Sequence, residues 1–134
     1  IYREEVVEVF LAPFPNDLVN YFELELSRRN VPFSAKITNN GKVNVDLSWT
    51  PNWETEVFIQ GTLDNREDRD EFWLAKMLLP LADFNVNVHP GDRWRGNFFR
   101  IDREPDEHSA WSPVFTNPAN FHTPQRFGEI LFLR

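Results

Sequence analysis

The chain of 134 residues fits a single domain, 1–134, with room for a modest core. Its net charge of −7 argues against nucleic acid or an anionic membrane surface as a partner, and nothing approaches the 18 consecutive apolar residues of a membrane span. The absence of cysteine excludes disulfides and thiolate metal sites without fixing the compartment.

Ten prolines, 13 phenylalanines, five tryptophans and frequent valines predict an all-β chain with irregular loops. The first strand is read at Glu4 to Leu11. With a period of two, Val7, Val9 and Leu11 share one side, and Val6, Glu8 and Phe10 the other. Glu8 therefore stands in a mostly apolar face, where a carboxylate needs a partner or a ligand. Ala12 to Asp17 is a proline-rich turn. Tyr21 to Ser27 alternates strictly, with Phe22, Leu24 and Leu26 inward and Tyr21, Glu23 and Glu25 outward, and its pairing with the first strand as an antiparallel hairpin is expected. Phe33 to Thr38 reads as a short strand ending at the turn Asn39-Asn40-Gly41.

Val43, Val45 and Leu47 alternate, then Trp49, Pro51 and Trp53 make an irregular aromatic stretch. Thr55 to Leu63 is a strand in which Gly61 marks a bulge or a close approach. Asp64 to Glu71 is a charged loop. Phe72 to Leu79, bounded by Pro80, reads as a central strand, with at most one helical turn over Leu81 to Phe84. After a turn at His89 to Asp92, Trp94 to Arg103 is the longest strand and carries bulky groups on both sides, which places it mid-sheet. Glu104 to Arg126 reads as a long aromatic loop, and Phe127 to Leu133 closes the sheet.

An ordered set of stations carries a resemblance. They are Glu4 to Phe10, Tyr21-Phe22-Glu23, the run from Phe72 into Leu-Pro-Leu-Ala, Gly91 to Ile101, Trp111-Ser-Pro, and Phe121-His122 through Arg126-Phe127-Gly128. Together they span nearly the whole chain, which resembles the family 9 carbohydrate-binding module and its bacterial relatives, a group related to DOMON domains. The resemblance implies an antiparallel, jelly-roll-like β-sandwich. Family members have further strands ahead of this one, and the chain opens beside a strand without an initiator Met. It is therefore expected to be a domain truncated at its N-terminus, with one core face uncovered and a sheet edge unpaired.

The function implied is non-catalytic binding of an oligosaccharide or polysaccharide by an extracellular, periplasmic or cell-surface protein, with a glycoside hydrolase elsewhere in the parent chain. In sugar-binding members two aromatic rings hold a disaccharide end, while a carboxylate and amides bond its hydroxyls. Residue by residue, Tyr2 matches one ring, Glu8 the acid and Asn97 a strand amide. Asn117 and Phe121 match the second amide and ring. Two departures stand out. Neither ring is a tryptophan, and Glu23 and Glu25 occupy the strand on which sugar-binding members place a basic residue. A sandwich that has lost its sugar site and serves structure or protein interaction is the competing reading.

Each candidate also has a plainer use. Glu8 can pair with Arg95 or Arg100, Tyr2 can pack in the core, and Asn97 can bond loop backbone. Trp49, Trp53 and Trp111 can cover an end of the sandwich, and Phe121 and His122 can anchor the long loop. The acids of 64–71 could hold a structural calcium but lack EF-hand spacing, and a solvated hairpin tip is the favoured reading. His89, His108 and His122 show no metal-ligand spacing, Met77 reads as core rather than a haem ligand, and no cofactor is expected. No nucleophile elbow, phosphate loop or HExxH is present, and the chain reads as an accessory domain rather than an enzyme.

Overall fold

The computed structural model describes residues 4–65, 67–103 and 105–133. Among the described residues, nine strands and two short 3₁₀ turns make an antiparallel β-sandwich. The strands are β1 (Val6–Ala12), β2 (Asn20–Ser27), β3 (Pro32–Asn39), β4 (Val43–Asp46), β5 (Glu54–Gln60), β6 (Phe72–Leu78), β7 (Arg93–Arg103), β8 (Asp106–Ala110) and β9 (Gly128–Leu131). The main sheet runs β4-β3-β2-β1-β7, and the far edge of β7 is shared by two partners. Its first part, Arg93 to Gly96, pairs with β9, and its second, Phe99 to Arg103, pairs with β8. β5 and β6 form a separate two-stranded hairpin.

The expected β1–β2 hairpin forms, with Val9 opposite Leu24, and β7 lies mid-sheet against β1. Alternation sorts the side chains of the main sheet onto two faces. On one, Leu11, Phe22, Leu24, Phe84 and Trp94 form a core cluster capped by Trp49, Trp53 and Phe132. Trp49 packs on Phe22 at 4.5 Å between ring centres and donates its indole N–H to the carbonyl of Asp83, so these tryptophans cover the sandwich. On the other face, Phe10, Tyr21, Ile37, Phe99 and Phe127 form a second cluster.

Three expectations are corrected. Tyr21, Glu23 and Glu25 do not face water: both sides of β2 are buried, because the loop between β8 and β9 folds over the second face. Phe72 to Leu78 is not a central strand. It pairs only with β5, and every second residue is exposed, so its apolar run covers one side of a hairpin. The stretch 104–126 is not all loop, since Asp106–Ala110 extends the sheet as β8.

Gly61 does mark a close approach. With φ of +146°, its position leaves no room for a β-carbon, which would lie 2.1 Å from the Asp70 carboxylate. Between the β5–β6 hairpin and the main sheet lies an apolar cleft of about 740 Å³, lined by Val7, Val9, Phe98, Met77, Leu81 and Trp111 among others.

Candidate functional site

The register of β1 on β2 sets Glu8 opposite Glu25 and Phe10 opposite Glu23. Residues two apart on a strand share a face, so Glu8, Glu23 and Glu25 rise together from the second face of the sheet. They are only 5%, 6% and 5% exposed. One carboxylate oxygen from each lies within 4.8 Å of the others.

Three buried carboxylates at this distance resist ionisation. Burial, then the charge of Glu25, pushes the Glu8 carboxyl from 4.5 up to about 8, with Arg103 pulling weakly the other way. Burial likewise raises Glu23, and the hydrogen bond and charge of Glu25 raise it further. Glu25 is also raised by burial, against the stabilising hydrogen bond from Glu23. Among the described residues, Oε2 of Glu25 is buried with no hydrogen-bond partner.

Over this cluster the β8–β9 loop lays Asn120, Phe121 and His122, closing a cleft of about 450 Å³ whose rim includes Phe33, Ile101 and His108. Phe121 stacks on Phe99 with centroids 4.1 Å apart and planes at 13°. His122 lies against Phe10 and hydrogen-bonds the Tyr21 hydroxyl through Nδ1 at 2.8 Å. Asn39 donates to that hydroxyl at 3.3 Å and to the His122 carbonyl at 3.1 Å. Burial pushes Tyr21 up to about 12 and His122 down, which favours a phenol that keeps its proton beside a neutral ring. The other ring nitrogen, Nε2, lies 3.9 Å from Oε2 of Glu23.

Of the residues singled out from the sequence, Glu8 and Phe121 meet in this cleft. Asn97 does not line it. It is fully buried and its amide is spent on Ser112, donating to the carbonyl at 2.8 Å and accepting from the amide N–H at 2.8 Å. Asn117 is exposed in the loop before a cis peptide to Pro118 and is not among the lining residues. Tyr2 lies outside the described residues. Neither Arg95 nor Arg100 pairs with Glu8. Arg95 bonds the carbonyl of Phe127 at 2.8 Å and Arg100 bonds Asp102 at 2.6 Å. The acids of the 64–71 loop are turned to their own surroundings. Asp68 and Asp70 accept from Thr62, while Arg29 pairs with Asp64 and Arg28 with Asp70.

Sequence reasoning missed that Glu23 and Glu25 join Glu8. The signal was present: a period of two puts both on the side of β2 opposite its leucines, and the hairpin brings that side beside Glu8.

The fold is an antiparallel β-sandwich with a polar cleft on its second face. The chain is similar in structure to a protein of Bacteroides uniformis ATCC 8492 whose name proposes carbohydrate binding. The TM-score is 0.68 at 21% identity over 95% of this chain and 60% of that one. In sequence it is similar to a protein of Arthroderma benhamiae (strain ATCC MYA-4681 / CBS 112371) named "Extracellular protein". They are 29% identical over 141 residues, 99% of this chain and 63% of the relative. The chain thus spans less than two thirds of either protein. No protein-family model matches it. Among the described residues, no helix is long and apolar enough to cross a membrane.

Proposed function

We propose that this domain is a non-catalytic carbohydrate-binding module of an extracellular protein, akin to the family 9 modules and their DOMON relatives, and that it holds a sugar in the cleft of Glu8, Glu23, Glu25, Asn120, Phe121 and His122. One observation carries the reading. A flat aromatic ring, Phe121, and a set of carboxylates line one concave pocket on a sheet face, which is the combination that stacks a sugar ring while accepting from its hydroxyls. The likeness to the Bacteroides uniformis protein and to the Arthroderma benhamiae protein named "Extracellular protein" supports it at this level. Hydrolysis across a glycosidic bond needs carboxylates on both flanks of that bond, whereas the three here rise from one face of two adjacent strands, which supports binding without catalysis.

Calorimetric titration of the domain with xylo-, cello- and chito-oligosaccharides tests the reading, with Phe121→Ala alongside. Saturable heat that the variant loses while remaining folded upholds it. No heat with any glycan from a folded domain refutes it.

A second reading has its own observation. The 740 Å³ apolar cleft beside the β5–β6 hairpin and the exposed Phe58, Phe72 and Leu74 suit an interaction sandwich, whose mark would be association with protein and indifference to glycans.

A further inference from the structure

We propose that Glu8, Glu23 and Glu25 form a binding site for one oxygen-preferring divalent cation, of the calcium or manganese class. The site lies in the cleft discussed above but does not rest on the sugar reading, since the cation would bind with or without a glycan.

The geometry comes first. A calcium ion sits about 2.3–2.6 Å from its oxygens, so two oxygens on one ion stand at most about 5 Å apart. The three carboxylates each present an oxygen within 4.8 Å of the other two, close enough for one ion to touch all three. They come from two adjacent strands in fixed register, so the set is built into the sheet rather than hung on a mobile loop. Carboxylate donors with no cysteine favour calcium, magnesium or manganese over softer metals.

The second observation is the orphaned oxygen. Glu25 is 5% exposed, and its Oε2 finds no hydrogen-bond donor among the described residues. A buried polar atom without a partner costs on the order of 1–3 kcal/mol, and a charged one costs more. It lies within the cluster, where a cation would satisfy it directly. Among the described residues, three groups near the cluster carry or could carry positive charge. Arg103 acts on Glu8 electrostatically, His122 is a neutral ring with Nε2 near Glu23, and His108 stands at the rim.

Charge selects between cations. The cluster gives up its protons as a cation enters, and the three carboxylates so ionised, against one ammonium such as that of an amino sugar, would leave a buried charge of minus two. A divalent ion leaves minus one, facing Arg103. The remaining coordination positions open toward the 450 Å³ cleft, which has room for water.

The test uses the whole chain stripped with chelator, titrated calorimetrically with calcium chloride and separately with manganese chloride, no glycan present. We expect one ion bound per chain, a higher unfolding temperature with the ion, and a loss exceeding about tenfold in affinity for Glu25→Gln, since even neighbours of metal ligands are worth about 10–100-fold. Glu25→Gln keeps the shape and removes the charge; circular dichroism checks its fold, and Glu23→Gln provides a second reading of the same loss. Asp68→Asn, in the charged loop, leaves binding unchanged. No stoichiometric binding by the folded wild-type domain overturns the proposal. So does binding untouched by Glu25→Gln and Glu23→Gln, or abolished by Asp68→Asn. Titration with glucosamine is the fourth arm: saturable binding of the amine with no metal uptake also overturns it. Glycan binding without metal uptake would refute the cation site and spare the sugar reading. Metal uptake without glycan binding would do the reverse.

Discussion

With chelator present, this domain should be most stable near pH 5 and lose stability as the pH rises. Glu8 titrates at 4.5 when exposed in the unfolded chain and at about 8 when folded. Between these values the folded chain keeps a proton that the unfolded chain has released, so the unfolding free energy falls by up to ~1.36 kcal/mol per pH unit for this one group. The contribution is fully present below pH 4.5 and gone above about pH 8, with Glu23 and Glu25 adding in the same direction. Glu8 alone accounts for at most about 5 kcal/mol across that window, comparable to the whole stability of a small domain. Urea unfolding in EDTA at pH 5, 6, 7 and 8 measures it, with Glu8→Gln as the comparison. The variant should show a shallower decline and exceed wild type in stability at pH 8. A wild-type stability that is flat or rises from pH 5 to 8 would refute the reasoning, as would an unchanged slope in Glu8→Gln.

Other outcomes follow from single contacts. Asn97→Ala strands the Ser112 carbonyl and amide and should cost about 1–3 kcal/mol in urea unfolding, while loosening the loop that carries Phe121. Gly128→Ala puts a methyl group 2.3 Å from the Trp111 indole, and the forced shift should cost about 1–3 kcal/mol and change the near-ultraviolet circular dichroism. Tyr21→Phe removes the hydroxyl that bonds His122 Nδ1, at a cost of about 1 kcal/mol. In the wild type at pH 7, nitrogen NMR should show His122 protonated on Nε2 only, and Tyr21→Phe should mix the tautomers.

The strands were largely legible because a period of two survives wherever one face is buried. The β1–β2 hairpin and the long β7 were both readable on that ground. The failures have a common cause, which is that burial depends on what folds over a strand from far away in the chain. Glu23 and Glu25 look solvent-facing until His122, some hundred residues on, is known to reach Tyr21 beneath the same loop. The run FWLAKML reads as central because its apolar residues suit a covered strand, yet β6 has one neighbour and half its side chains exposed. Of the candidate site, Glu8 stood out by its place between Val6 and Phe10, and Phe121 by the resemblance alone. Asn97 failed as a ligand group for a reason no spacing reveals: its amide is already matched at both ends.

That match has a mechanical meaning. Asn97 clamps the backbone of Ser112 from a strand in the middle of the sheet, and the hydroxyl of Ser112 in turn donates to the carbonyl of Arg126 at 2.6 Å. Ser112 and Arg126, near the two ends of the loop over the carboxylates, are thereby tied to one strand. The cleft's roof is set before any ligand arrives. A ligand that entered would meet a preformed socket and leave little ordering entropy to be lost.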